Sequence, residues 1–120
     1  MANVMSKITI STRDLPPTDN ARLIYALKNA TGKSLTEVRR SLSSGPANYL
    51  FRAELYLNNH VEVAATIREI LRIFDNHQIQ PYILEIPYDQ SWDDPINETT
   101  SEITTVELLS ILAAADGQFQ

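Results

Sequence analysis

Between Asn20 and Pro46 the chain reads NARLIYALKNATGKSLTEVRRSLSSGP, and this stretch leaves little choice of structure. Leu23, Ile24, Leu27 and Ala30 recur at helical spacing and make one apolar stripe. Thr31 and Gly32 end it, the glycine supplying the left-handed conformation that a helix C-terminus uses. Ser34 opens a second helix, with Glu37 three residues on, at the capping-box spacing. Leu35, Val38 and Leu42 form the second stripe, and Gly45-Pro46 stops the helix. Two short helices that are apolar on one side only need a common surface to cover, and the pattern predicts that surface to be one face of a small sheet.

The flanking segments supply the strands. Residues 5–12 alternate, with Ile8 and Ile10 as the inward pair and Met5, Lys7, Thr9 and Ser11 on the other side. Asp14 to Pro17 is an irregular linker, since consecutive prolines remove donors and bar helix. Asp19 or Asn20 caps the first helix. After Pro46, the segment 49–57 is the clearest strand. Tyr49, Phe51, Ala53, Leu55 and Leu57 share one face, and Leu50, Arg52, Glu54 and Tyr56 share a half-solvated one. Asn58-Asn59 ends it, and Asn59 with Glu62 caps a third helix. That helix buries Val63, Ile67, Ile70, Leu71 and Phe74 and leaves Glu62, Arg68, Glu69 and Arg72 outside, with Glu69 and Arg72 spaced to pair. Asp75 to Gln78 is a turn, and Ile79 to Ile86 is the last strand, with Tyr82, Leu84 and Ile86 on one side. Pro81 cannot donate to a ladder, so this strand starts at an edge or gains its partner only after Pro81.

Pro87 to Ser101 is an acidic loop, and a fourth helix follows it, with Thr99/Glu102 and Thr104/Glu107 as competing caps. From Ile103 to Ala115 only Glu107 is charged, so this helix is apolar around most of its circumference. Such a helix either covers the open face of the sheet, the reading favoured here, or makes a dimer contact with a second chain. The fold expected is α+β, a β-α-α-β-α-β body with a small antiparallel sheet covered by helices, plus the C-terminal helix. The 120 residues form one domain, with a body over 5–87 and the acidic loop and helix over 88–120.

The order of helix starts, stops and apolar positions, with T-G-x-x-L-x-E-V-x-x-x-L from Thr31 to Leu42, resembles the C-terminal domain of the bacterial ribosomal stalk protein. The resemblance covers roughly residues 5–87. It implies a fold of the kind shared with the adaptor of the Clp protease that reads protein N-termini (a ClpS-like fold), although none of that adaptor's specificity-pocket motifs is present. It also implies a role in recruiting translation factors through the basic helix pair, here through Lys33, Arg39 and Arg40. The chain departs from the family in its glycine-rich turn, reduced to Gly32, in a hairpin with fewer lysines, and in the added acidic tail.

Charge is unevenly distributed. Residues 1–74 hold all ten Lys and Arg with six acids, for +4, whereas residues 75–120 hold nine acids and no Lys or Arg, for −9. A single-sign segment of this size repels anions and favours basic partners. With a sequence pI near 4.9, direct nucleic-acid binding is not expected. The absence of cysteine excludes disulfides, thiolate metal sites and cysteine nucleophiles. No apolar run approaches the ~18 residues of a membrane span, and MANVMSKITI has no long apolar core, so a cytoplasmic protein is expected.

Catalytic patterns are missing. Three glycines make neither a dinucleotide nor a Walker loop, and no G-x-S-x-G occurs. His60 and His77 fall at opposite ends of the third helix, too far apart to share a metal. Asp89, Asp93, Asp94, Asn97 and Glu98 fail the EF-hand spacing and lack its glycine. No cofactor or metal is expected, and an enzyme is the least supported reading. The segment that stands out is Tyr88 to Asp94, which sets the only tryptophan, Trp92, among Asp89, Asp93 and Asp94, with Glu98 further on. An aromatic anchor ringed by acids has the composition of a binding hot spot for a basic surface; the bland alternative is that Trp92 pins the loop to the core. The leading expectation is therefore a non-catalytic protein-binding module. Its residues Tyr88, Asp89, Trp92, Asp93, Asp94 and Glu98 cover a basic protein such as a nuclease toxin, as small inhibitors or immunity proteins do. The alternative is an adaptor using Lys33, Arg39 and Arg40. It is expected to be a monomer, or a dimer through the C-terminal helix.

Overall fold

The first strand in the chain is an inner strand of the sheet. The structure is a computed structural model that describes residues 6–13, 21–44, 49–54, 60–87, 89–91 and 101–118. In it β1 (Ser6–Thr12) is flanked by β2 (Phe51–Glu54) and β3 (Pro81–Pro87), and β4 (Glu102–Ile103) closes the far edge, giving the antiparallel order β2-β1-β3-β4. Helices α1 (Ala21–Thr31), α2 (Leu35–Ser44), α3 (His60–Asn76) and α4 (Thr105–Gln118) complete the described elements. The α+β class and the element order expected from the sequence are those found. The two-residue β4 is an addition to them.

Register assigns the two faces. Ile8 lies opposite Ala53 and Glu85, and Ile10 opposite Phe51 and Ile83, so these residues share one face. Ile8, Ile10, Ala53 and Ile83 belong to a single apolar cluster with the buried residues of all four helices, which places the helical layer on this side. From α1 come Leu23, Ile24 and Leu27, from α2 Val38 and Leu42, and from α3 Ala64, Ile67, Ile70, Leu71, Ile73 and Phe74. Val63, expected in the buried stripe, is half-buried. Burying a single Leu or Ile side chain contributes about 1.5–3 kcal/mol, so this cluster is the main source of stability.

The opposite face is less polar in effect than its sequence implies. Lys7, Thr9 and Ser11 of β1, and Tyr82, Leu84 and Ile86 of β3, alternate with the helix-facing residues and are buried as well. The Lys7 ammonium donates to the carbonyl of Gln90, so the turn after β3 reaches over this face. The Thr9 hydroxyl is buried with no hydrogen-bond partner. Alternation alone assigns Lys7, Thr9 and Ser11 to solvent; their position on an inner strand buries them instead.

Local signals hold where they can be read. Gly32 takes φ +72° and its N–H donates to the Lys28 carbonyl at 2.9 Å. The Glu37 N–H donates to Ser34 Oγ at 3.1 Å. Of the two caps expected before the last helix, that of Thr104 and Glu107 is formed, while Thr99 lies outside the described residues. The Glu107 N–H donates to Thr104 Oγ1 at 3.1 Å and the Thr104 N–H to Glu107 Oε1 at 3.0 Å, a reciprocal capping box. Helix α3 ends without glycine. Gln78 adopts φ +57°, its N–H reaches the Asp75 carbonyl and the Ile79 N–H the Phe74 carbonyl, which is the Schellman pattern. Pro81 opens β3 opposite Thr12, at the first strand position, where its missing donor is tolerated. Leu50, assigned to a half-solvated face, is buried in the core ahead of β2. The linker at Asp14–Pro17, the caps at Asp19, Asn20 and Asn59, the stops at Gly45-Pro46 and Asn58-Asn59, and Met5, Leu55, Tyr56 and Leu57 lie outside the described residues.

The C-terminal helix departs from expectation. Leu108 and Leu112 are fully buried in the same cluster as Ile67 and Ile83, and α4 packs beside α3 and β3. It extends the helical layer and does not cover the other face of the sheet. Ile83 pairs with Ile103 in β4, which delivers the chain to that side.

Candidate functional site

Two charged surfaces were expected to carry binding. The acidic one leaves the sheet at the end of β3. Asp89 is exposed in the turn there, where the Gln90 N–H donates to the Pro87 carbonyl at 3.1 Å. Tyr88, Trp92, Asp93, Asp94 and Glu98 lie outside the described residues. Further along, Glu102 forms an ion pair with Arg13, whose guanidinium stacks 5.0 Å from the centre of the Tyr82 ring. Glu107 is engaged in the cap of α4. Glu102 and Glu107 are thus held by the protein's own groups, whereas Asp75 and Asp89 are exposed.

The basic surface is formed by α1 and α2. Arg39 and Arg40 are exposed on α2, and Lys33 is half-buried in the turn between the helices. Helix α1 adds exposed Arg22 and half-buried Lys28. Residues 21–44 contain five bases against one acid, Glu37, which faces Ser34. Tyr25 is 53% exposed and one helical turn from Arg22, a pairing of residue types common at interface hot spots. Sequence reading passed over Tyr25, although its place off the Leu23–Leu27 stripe marks it as outward.

A third feature was not foreseen. A groove of about 320 Å³ runs between the C-terminal half of α3 and the start of α4, floored by Leu71, Ile79, Pro81 and Leu109, with arginines 68 and 72 on its rim. Arg72 donates from Nε to Glu69 at 3.0 Å, realising the pair expected from their spacing. Hydrogen bonding to Arg72 holds the Glu69 carboxyl below the usual carboxylate range and raises the Arg72 guanidinium in turn.

His77 is half-buried just beyond α3, and its N–H meets the carbonyls of Ile73 and Phe74. Among the described residues no three His, Asp or Glu side chains gather in a metal-binding arrangement, and no helix is long and apolar enough to cross a membrane. The chain matches no protein-family model, and comparisons with curated proteins and with solved structures find no match either.

Proposed function

We propose that this protein is a non-catalytic protein-binding module whose acidic C-terminal third covers a basic partner, in the manner of a small inhibitor or immunity protein facing a nuclease toxin in the cytoplasm. Segregation of charge supports this reading: nine acids and no Lys or Arg from Asp75 onward, with Asp89 exposed where the chain leaves β3. Such a surface accelerates encounter with a cationic protein, and Trp92 supplies an anchor of the type that dominates interface energies.

A second reading, an adaptor of translation or proteolysis, is favoured by exposed Arg39 and Arg40 beside exposed Tyr25, and by the resemblance to the stalk domain. The two readings make opposite predictions. Affinity purification of the tagged protein from its own host, with mass spectrometry, supplies the partner, and calorimetry then measures variants. Under the first reading the partner is basic. Combined Asp89→Asn, Asp93→Asn and Asp94→Asn, or Trp92→Ala, then weakens binding at least about tenfold, and Arg39→Ala with Arg40→Ala does not. The reverse pattern supports the adaptor. An isolated chain that turns over a substrate removes both.

A further inference from the structure

The two edges of the sheet are built differently. One edge is β4, two residues long and held by the Arg13–Glu102 ion pair, so it offers almost no template for another strand. The other edge is β2, four residues long, with no further strand on its outer side among the described residues. Edge strands of this kind present unsatisfied backbone donors and acceptors to any chain that can align with them.

We infer that the β2 edge is a self-association surface, and that its partner is the β2 of a second copy of this chain, paired antiparallel about a two-fold axis at Ala53. The sequence of the strand, Phe51-Arg-Ala-Glu54, is complementary to itself in that register. Residues 52 and 54 sum to the same index as 53 with itself, so each Arg52 lies directly opposite the Glu54 of the other copy. Ala53 lies opposite Ala53. Register with β1 puts Arg52 beside Thr9 and Glu54 beside Lys7, on the helix-free face, while Ala53 faces the helices. The two ion pairs therefore form on one face, where Arg52 is exposed and Glu54 half-buried. On the other face two small side chains meet and leave room for the helical layers to sit side by side. The product is one continuous sheet of two four-stranded halves.

Electrostatics selects this edge over the other. Each copy carries a net charge of −5, which opposes association. Among the acids on described elements, Glu102 lies on β4, at the opposite edge of the sheet from β2, and Glu107 opens α4, which packs beside β3. With strands spaced about 4.8 Å apart, the two copies of β4 are about 34 Å from each other across such a sheet. That exceeds the Debye length of about 8 Å at physiological ionic strength several times over. Approach through β4 or the start of α4 brings Glu102 and Glu107 of one copy toward those of the other.

Sedimentation equilibrium of the full chain over a range of concentrations tests the inference, with circular dichroism to check folding. The wild type is expected to show a monomer–dimer equilibrium. Arg52→Glu, which sets acid against acid twice by symmetry, is expected to weaken the dimer about tenfold or more. The double variant Arg52→Glu/Glu54→Arg restores complementary pairing and is expected to recover it. Val106→Glu on the exposed side of α4 is expected to leave it unchanged. In a mixture of isotope-labelled and unlabelled wild-type chains, inter-chain contacts are expected at Ala53, a readout that does not depend on any variant folding. A strictly monomeric wild type overturns the inference. So does a dimer lost in Val106→Glu, or one in which the charge swap fails to restore what Arg52→Glu removes.

Discussion

Among the described residues, two occupy the left-handed region of backbone space, Gly32 at φ +72° and Gln78 at φ +57°. Gly32 has no steric penalty there, while a side-chain-bearing residue costs about 1–2 kcal/mol. A Cβ built at position 32 meets nothing within 4 Å, so Gly32→Ala reports backbone strain alone and is expected to destabilise by about 1 kcal/mol in urea unfolding. Gln78→Gly is expected to do the opposite by a similar amount, because the Schellman bonds it completes involve only the backbone. Thr9 is the second point of stored cost. Its hydroxyl is fully buried and unpartnered, so Thr9→Val, which keeps the β-branched shape, is expected to raise stability by about 1 kcal/mol. Glu69 shows the opposite economy. Its carboxyl is more acidic in the folded chain, so its contribution is present above the ordinary carboxylate pKa and fades as pH falls through the lowered value. The stability difference between wild type and Glu69→Gln is therefore expected at pH 7 and should vanish in the acid limb of a pH–stability profile.

At the scale of elements, α4 separates what periodicity can show from what it cannot. The stripes of α1, α2 and α3 have polar opposite faces, and the buried residues are close to those the spacing predicts. In α4 the residues away from the core include Val106, Leu109, Ser110, Ala113 and Ala114, so no polar side marks which way the helix faces. Only packing identifies Leu108 and Leu112 as the buried pair. Leu108→Ala is expected to cost about 2–5 kcal/mol, whereas Val106→Ala, at a position 74% exposed, should change the unfolding midpoint little. Equal effects would mean that α4 packs through a different face. The strand β4 was invisible for a related reason: Glu102-Ile103 is too short to alternate, and a long-range pairing with Ile83 and Leu84 defines it. Of the candidate surfaces, the charge imbalance could be read directly from composition. Exposed Tyr25 and the α3–α4 groove depend on how helices meet, which no local pattern encodes.

The whole molecule is a basic half and an acidic half joined through one sheet, with β1 and β2 drawn from the first and β3 and β4 from the second. Its inner strand β1 pairs Lys7 with Glu54 on one side and Ser6 with Pro87 on the other. As the polypeptide leaves the ribosome, this strand emerges ahead of both its neighbours, which are then still unmade. The α1–α2 hairpin closes through near-neighbour contacts, but the sheet must wait for residue 87, and pairings over such separations are slow to form. Pulse-labelled hydrogen exchange during refolding should show amides of α1 and α2 protected before those of β1. Until then Ile8 and Ile10, fully buried in the finished protein, lack the β3 strand that flanks them on one side. A nascent chain stalled before Pro87 thus has sticky apolar residues on a strand with only β2 to flank it, which makes the interval before β3 emerges the time at which a chaperone is most needed.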